Sequence, residues 1–472
     1  MKNIKRLILS LGSFSVISLP VFVQSCYNNK DTKNAEIDIK DNTTSTTIID
    51  TTNNETPVNP KPNEQPETGN QDPKPGNENP KPGNEDPKPG NENPDPGNED
   101  PKPVNPDPNP GNENPDPGNE DPKPVNPDPE HNENSKINIG FWNVCNFGNV
   151  RNDNTYKVQS LSHIIYQNNY NLIGLVEVDG DNSVKSLTEH LNKLAKSDTY
   201  AYIQSDTKVG HKNLSSRSNV PEYASFIYNK HLLEVVPFEN KKNLLVYDNS
   251  NWNSFGLENG LLQVGYMRPP VGVKFRTLGK IKNDFTYVID HLDSPGAKDN
   301  EKKYKKTSQG TQEWVEAWNL KNVMKWFDDH DGDNDDLIFA GDTNIKIQND
   351  EEAFKYLRQE GYKSLLKATE ENKTSLARTL NKYSETFDKF FIYSDLKFNN
   401  SKKYDIFSFP EQNFVLKNQN NKNVTISSFE SWKEFINSFG KVYDRDYSYI
   451  NSGISDHTCV GFTLELNPED KH

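Results

Sequence analysis

The chain has 472 residues, only 31% of them hydrophobic, a mean hydropathy of -0.95 and a formal charge of -15. The polarity is uneven: 12 basic against 24 acidic residues before Ser135 leave 42 against 45 after it, so the acidity describes the first third and sets no bar against a polyanionic ligand for the rest. Three cysteines are too few for a disulfide framework.

Residues 1–25 read as a lipoprotein signal peptide. Lys2, Lys5 and Arg6 precede an apolar stretch over 7–23 that is short and Pro-interrupted for a membrane span. It ends in Val23-Gln24-Ser25-Cys26, which resembles a bacterial lipobox, although Gln24 is a less usual residue there. Cys26 is then the lipidation site, and the two acyl chains of a diacylglyceryl group suffice for stable anchoring. The expectation is a protein held on the extracellular face of the cell membrane; ordinary signal cleavage is the alternative. Residues 26–134 read as a disordered linker. From Asp72 the units "DPKPGNE" and "NPKPGNE" recur, then "PVNPDP" variants to about Pro129. Alternate prolines remove amide donors and fix φ, so neither helix nor sheet forms and polyproline II is expected. At about 3.1 Å per residue the segment reaches on the order of 300 Å when extended, a spacer between anchor and domain. An interaction surface is the rival reading, and the repeats lack aromatic or basic anchors for it.

Residues 135–472 read as one catalytic-sized domain. Strands are expected at 137–144, 172–176, 223–228, 271–276, 285–289, 337–340 and 458–465. Helices are expected at 156–168, 182–196 and 311–328, and a further one opens with a capping box at Ser427 and Glu430 and stops before Gly440. Strands and helices mix without strict alternation, the pattern of a mixed α/β sandwich.

Five apolar strands meet a polar residue at one end. "INIGFWN" finishes at Asn143, "LIGLVE" at Glu177, "FTYVIDH" at Asp290-His291, "LIFAGDTN" at Asp342 and Asn344, and "ISDHTCVGF" begins at Asp456-His457. One such residue is ordinarily emerging into solvent. Five together, all Asp, Glu, Asn or His, suggest convergence. Their oxygens are hard ligands for a divalent metal, Mg²⁺ first, with Ca²⁺ or Mn²⁺ as alternatives, and two histidines supply a proton acceptor and a donor. These are parts for hydrolysing a phosphodiester.

The ordered motifs "FWNVCNFG", "GLVEV", "PEYASFIY", "MRPPVGVKF", "VIDHLDSPG", "FAGDTN", "ETFDKFFI" and "ISDHTCVGF" resemble the endonuclease/exonuclease/phosphatase superfamily, DNase I-like branch. With the lipobox and spacer, the chain is similar to mycoplasmal membrane nucleases. The resemblance implies a four-layer α/β sandwich, two packed mixed β-sheets flanked by helices. It implies Asn143 and Asn344 at the phosphate, Arg268 on backbone phosphate, and Glu177, Asp342 and Asp456 on the metal. His291 is oriented by Glu222 and His457 by Asp388, with acid and base unassigned between the two histidines. Thr343 replaces the family's usual aromatic, and Asp293 is an added acid beside His291.

DNA, with RNA as an alternative, is the expected substrate, and no protein partner is expected. A phosphodiesterase of the same fold acting on sphingomyelin or phosphoinositides is the second reading, and a non-catalytic adhesin on a stalk the third. His163 and His190 are expected to be surface or core residues rather than ligands. Cys145 and Cys459 are expected as buried free thiols, with a disulfide the alternative. The Asp-rich run 328–336 lacks the closing Glu of an EF-hand and is expected as a solvated loop, with a structural Ca²⁺ site as the rival. Lys274, Arg276, Lys280 and Lys282, and the lysines at 302–306, are expected on solvated faces.

Overall fold

The computed structural model describes residues 135–148, 155–210, 221–252, 265–297 and 309–470. The signal segment, Cys26, the Pro-rich repeats and the lysines at 302–306 lie outside the described residues. The first half runs β1 (Lys136–Phe147), α1 (Tyr156–Gln167), β2 (Leu172–Val178), α2 (Ser183–Ala195), β3 (Tyr200–Gln204), β4 (Tyr223–Asn229), β5 (Leu233–Val236), β6 (Leu245–Val246), β7 (Val271–Thr277) and β8 (Asp284–His291). The second runs α3 (Thr311–Asp328), β9 (Leu337–Asp342), α4 (Asp350–Ala353), α5 (Lys355–Gln359), β10 (Lys363–Ser364), β11 (Asp388–Tyr393), β12 (Lys397–Lys403), β13 (Phe414–Lys417), β14 (Asn423–Ile426), α6 (Phe429–Asn437), α7 (Asp446–Asn451) and β15 (Val460–Glu465).

Two large sheets form, in the orders β12-β15-β1-β2-β4-β3 and β10-β11-β9-β8-β7-β5, with β6 also paired to β7. Each is mixed: β1 and β2 are parallel, as are β8 and β9, while β15, β4, β7 and β11 join antiparallel.

The alternation of side chains along a strand sorts the core into layers. Ile137, Ile139 and Phe141 of β1 meet Val273, Phe275, Tyr287 and Ile289 of the other sheet, whereas Trp142 and Val144 turn outward to Leu161, Ile164 and Ile165 of α1. Ile338 and Ala340 of β9 face the first sheet, while Leu337 and Phe339 meet Leu320, Val323 and Phe327 of α3. Helix, sheet, sheet and helix make the expected four-layer sandwich. Each such buried side chain is worth about 1.5–3 kcal/mol of transfer free energy. Gly174 lets the sheets approach, since a Cβ there would lie 2.6 Å from Ile289. Across the same gap Tyr287 donates its hydroxyl to the Gly140 carbonyl at 2.7 Å.

Three expectations need correction. The cap of α6 is Ser428, one residue later than expected, because Ser431 completes a reciprocal box with it: Ser431 N donates to Ser428 Oγ at 3.2 Å and Ser428 N to Ser431 Oγ at 3.0 Å. The Asp-rich run is not simply solvated. Asp331 and Asp336 are buried, and Thr286 Oγ1 and Asn334 Nδ2 donate to Asp331 Oδ2 at 2.6 and 2.8 Å. Nor do Lys274 and Arg276 lie on an open basic face, since Arg276 makes a two-pronged contact with Asp284 at 2.6 and 2.7 Å and Lys274 is buried. The stretch between Asp388 and Asp456, which carries few motifs, adds β12 to a sheet edge. Its hairpin and helices place Phe414, Leu416, Trp432, Phe435 and Ile436 in the outer layer of the first sheet.

Candidate active site

One end of the sandwich collects the polar strand ends because of strand direction. Parallel strands β8 and β9 finish together, with His291 in register with Asp342, while antiparallel β11 begins there, with Asp388 opposite Asp342. In the other sheet β1 brings Asn143 beside Val176 of β2, next to Glu177. Strands β4 and β15 start at the same end, just after Glu222 and His457.

Each histidine pairs with a carboxylate from the opposite sheet. His457 Nδ1 lies 2.7 Å from Asp388 Oδ2, and His291 Nδ1 lies 3.1 and 3.2 Å from the Glu222 oxygens. Both Nε2 atoms turn toward Asp342 Oδ2, at 3.4 Å from His457 and 3.7 Å from His291. Asn143 ties the cluster across the gap, its Nδ2 donating to Asp342 Oδ2 at 2.9 Å and to Glu177 Oε1 at 3.0 Å. A cleft of about 270 Å³ opens onto these groups, lined among others by Glu177, Glu222, Arg268, His291, Asp342 and His457.

Local backbone aims the side chains. Register breaks on both sides of β2 near Glu177, which adopts φ +57°, and Asn344 sits at φ +53°. Asn tolerates that region; Glu does so at a cost of order 1–3 kcal/mol, and such strain gathers at functional sites. Glu177 N is held by Glu222 Oε1 at 3.1 Å, so one carboxylate fixes both the bulge and His291. Ser455 of "SDH" is a fastener: its Oγ donates to the Asn143 carbonyl at 2.7 Å and accepts from His457 N at 3.1 Å. Trp142 Nε1 donates to the His457 carbonyl at 2.8 Å. Gly453 keeps this segment against α6 and α7, since a Cβ there would lie 2.2 Å from the Tyr449 carbonyl.

Electrostatics follow from burial set against neighbours. Burial opposes the His457 charge, yet Asp388 and then Asp342 raise its pKa well above the usual histidine value. Burial and Arg268 oppose the His291 charge, and Glu222 and Asp342 outweigh them. Burial works to raise Asp342, but His457 and His291 hold it below the usual carboxylate range. Glu177 behaves differently, pushed up first by burial and then by the like charge of Asp456.

That last contrast tests the fit of a divalent metal. Asp456 Oδ1 is buried without a hydrogen-bond partner, beside the raised carboxylate of Glu177. Two hard carboxylates, one with an orphaned oxygen, fit a cation such as Mg²⁺ or Ca²⁺. Ligand atoms of Asp342, Asp388 and His457 also fall within 4.8 Å of one another. There, however, Asp388 is engaged by His457 Nδ1, the arrangement of an oriented imidazole.

The structure thus brings together Asn143, Glu177, Glu222, Arg268, His291, Asp342, Asn344, Asp388, Asp456 and His457. Arg268 is a strut as much as a lining residue: its Nε and Nη2 donate to the carbonyls of His291 and Leu292 at 2.7 and 2.6 Å. Asn344 Nδ2 likewise donates to Leu292 O at 3.2 Å. Asp293 is buried but does not line the cleft, and its amide donates to Glu316 Oε2 at 2.6 Å. Thr343 is fully buried and donates its hydroxyl to the Phe387 carbonyl at 2.8 Å. Cys145 and Cys459 are free thiols, Cys145 half-buried, Cys459 buried and pushed by burial up to about 12. His163 and His190 pack 6.4 Å apart between helices, away from the cleft. Sequence reasoning missed Ser375, Arg378, Tyr447 and Asn451, which line the cleft from segments without motif or period. Asn146 in "CNFG", Ser294 and Pro295 in "DSPG" and Phe387 in "ETFD" also line the cleft, and there the motifs themselves were a local signal.

No family model matches the sequence. An uncharacterized protein of Mycoplasma pneumoniae is 31% identical over 140 residues, which is 29% of this chain and 28% of that protein. The match therefore spans little more than a quarter of this relative's length. Among solved structures, the chain is similar to an endonuclease/exonuclease/phosphatase family protein from Bacteroides thetaiotaomicron (12% identity, 71% of this chain and 99% of that one, TM-score 0.40). It is also similar to D. rerio TDP2 complexed with single strand DNA product (14% identity, 70% and 99%, TM-score 0.39). A third is the human Nocturnin catalytic domain with bound sulfate anion (12% identity, 71% and 95%, TM-score 0.39).

Proposed function

We propose that this chain is a metal-dependent phosphodiesterase of the endonuclease/exonuclease/phosphatase type that hydrolyses nucleic acid, DNA first, outside the cell. The observation that carries the reading is the paired geometry: two imidazoles, each bonded through Nδ1 to a carboxylate, present Nε2 to one cleft. A single such pair serves many chemistries, whereas two facing one point can take a proton from water and return one to a leaving oxygen. Asn143 and Asn344 position the phosphate, and Arg268 holds the end of β8 at His291 and Leu292. Glu177 and Asp456, with Asp342 next to them, would hold the divalent ion, which supplies charge neutralisation on the phosphoryl oxygens when bound. Support for the extracellular setting is the N-terminal pattern ending at Cys26 and the Pro-rich spacer after it.

The full chain should cleave plasmid DNA in the presence of Mg²⁺, Ca²⁺ or Mn²⁺ and lose that activity with EDTA. Sphingomyelin and RNA, run in parallel, separate the substrate classes. Cleavage that persists in chelator, or sphingomyelin hydrolysis without nuclease activity, sinks the reading. Host-cell adhesion by a chelated protein that cleaves none of the three would favour the adhesin instead.

A further inference from the structure

At the other end of the second sheet, a cluster unrelated to the cleft gathers from three distant parts of the chain. Asp336 closes the Asp-rich run before β9, Asp395 follows β11, and Asp470 belongs to the segment after β15. One carboxylate oxygen from each lies within 4.8 Å of the others. Asp336 is 2% exposed, and its Oδ1 is buried with no hydrogen-bond partner. A carboxylate buried this way costs several kcal/mol unless a cation or proton joins it.

We propose that Asp336, Asp395 and Asp470 form a second divalent-cation site, suited to Ca²⁺, which fastens the C-terminal segment to the sandwich. The ligands are all oxygens in an irregular arrangement, and exposed Asp395 leaves room for water to complete the coordination, the combination Ca²⁺ accommodates. The segment is already docked for this purpose: Asn283 Nδ2 donates to Asp470 Oδ2 and to Asn467 O, each at 2.8 Å, and Asn467 N donates back to Asn283 Oδ1 at 2.9 Å. Asp331, in the same Asp-rich run, has its Oδ2 engaged by Thr286 and Asn334 while its Oδ1 is buried without a partner, but it is not one of the three carboxylates that converge here. The 6 residues of β9 separate the site from Asp342 by roughly 20 Å. Its role is structural and independent of the proposed reaction.

The test is Ca²⁺ binding by equilibrium dialysis, with thermal melting alongside, on the full chain carrying Glu177→Gln and Asp456→Asn to disable the cleft acids. Roughly one Ca²⁺ per chain should remain, raising Tm with concentration. Asp395→Asn on that background should remove both the bound ion and the Tm shift; Asp395 is exposed, so the fold tolerates the change. Asp470→Asn provides the second variant and should act alike. No Ca²⁺ bound in the disabled chain overturns the proposal, as does binding and stabilisation left unchanged by both Asp395→Asn and Asp470→Asn.

Discussion

Asp336 immediately precedes strand β9 and Asp342 ends it, and the two live in opposite electrostatic worlds. Asp342 is 1% exposed and Asp336 2%, so burial pushes both upward alike. Asp342 nevertheless stays ionised, because His457, His291 and Asn143 surround it, whereas the neighbours of Asp336 are acids and it rises to about 7. What decides the state of a buried carboxylate here is the company it keeps, and that company is set by which strands start or finish beside it.

The sharpest way to break the contrast is to remove a cation from the Asp342 end. His457→Ala should lower nucleic-acid hydrolysis about 10²–10⁴-fold while far-UV circular dichroism stays unchanged. A variant keeping more than a tenth of the activity would show that the imidazole at 3.4 Å from Asp342 takes no part in proton transfer.

A third buried aspartate calibrates the principle away from both ends. Asp350 meets Lys389 Nζ, itself 1% exposed, at 2.7 Å, and also Arg358. Burial works to raise Asp350, but Lys389 and then Arg358 bring it below the usual value. Its stabilisation is therefore full above the unfolded-state value near about 4 and is lost as pH falls through the lower folded value. Asp350→Asn leaves a buried ammonium unpaired and should cost about 3–5 kcal/mol at neutral pH by urea unfolding. It should also flatten the loss of stability on acidification; an unchanged acid limb would contradict the assignment.

Smaller effects sharpen the comparison between the two histidines. Glu222→Gln keeps the shape but weakens the hold on His291, and about a 10–100-fold loss of activity is expected, less than for His457→Ala. The pH–rate profile of that variant should shift, which a purely structural lesion would not cause. Thr155→Ala removes the N-cap contact from Val158 N at 3.2 Å. About 1 kcal/mol of stability and no change in kcat should follow.

Much of this was legible from residues alone. Short apolar runs located most of the long strands, since a strand covered on both faces buries nearly every residue. Five polar strand ends together marked the site, although any one of them alone would ordinarily be a residue emerging into solvent. Arg378, Tyr447 and Asn451 carried no such mark: they sit on loops and a short helix whose placement depends on what packs beneath them. The cap of α6 slipped by one residue because Ser427, Ser428 and Ser431 offer competing local bonds, and only the geometry selects among them.

The chain's own apolar runs pointed to a mixed α/β sandwich and its strand-end chemistry to a shared site for Asn143, Glu177, His291, Asp342 and His457, while two packed sheets were implied by the resemblance of the ordered motifs. Only the packing of the sheets decided the pairs. His291 and Glu222 come from opposite sheets, as do His457 and Asp388, so neither histidine has its partner until the interface of Phe141, Val273, Tyr287 and Ile289 has closed. The same holds for Asp336, Asp395 and Asp470, which are far apart along the chain and adjacent only where β9, β11 and the C-terminal segment meet. Local preference acts over a few residues, while charge and hydrogen bonding act over a few ångströms, and only tertiary packing converts the one distance into the other.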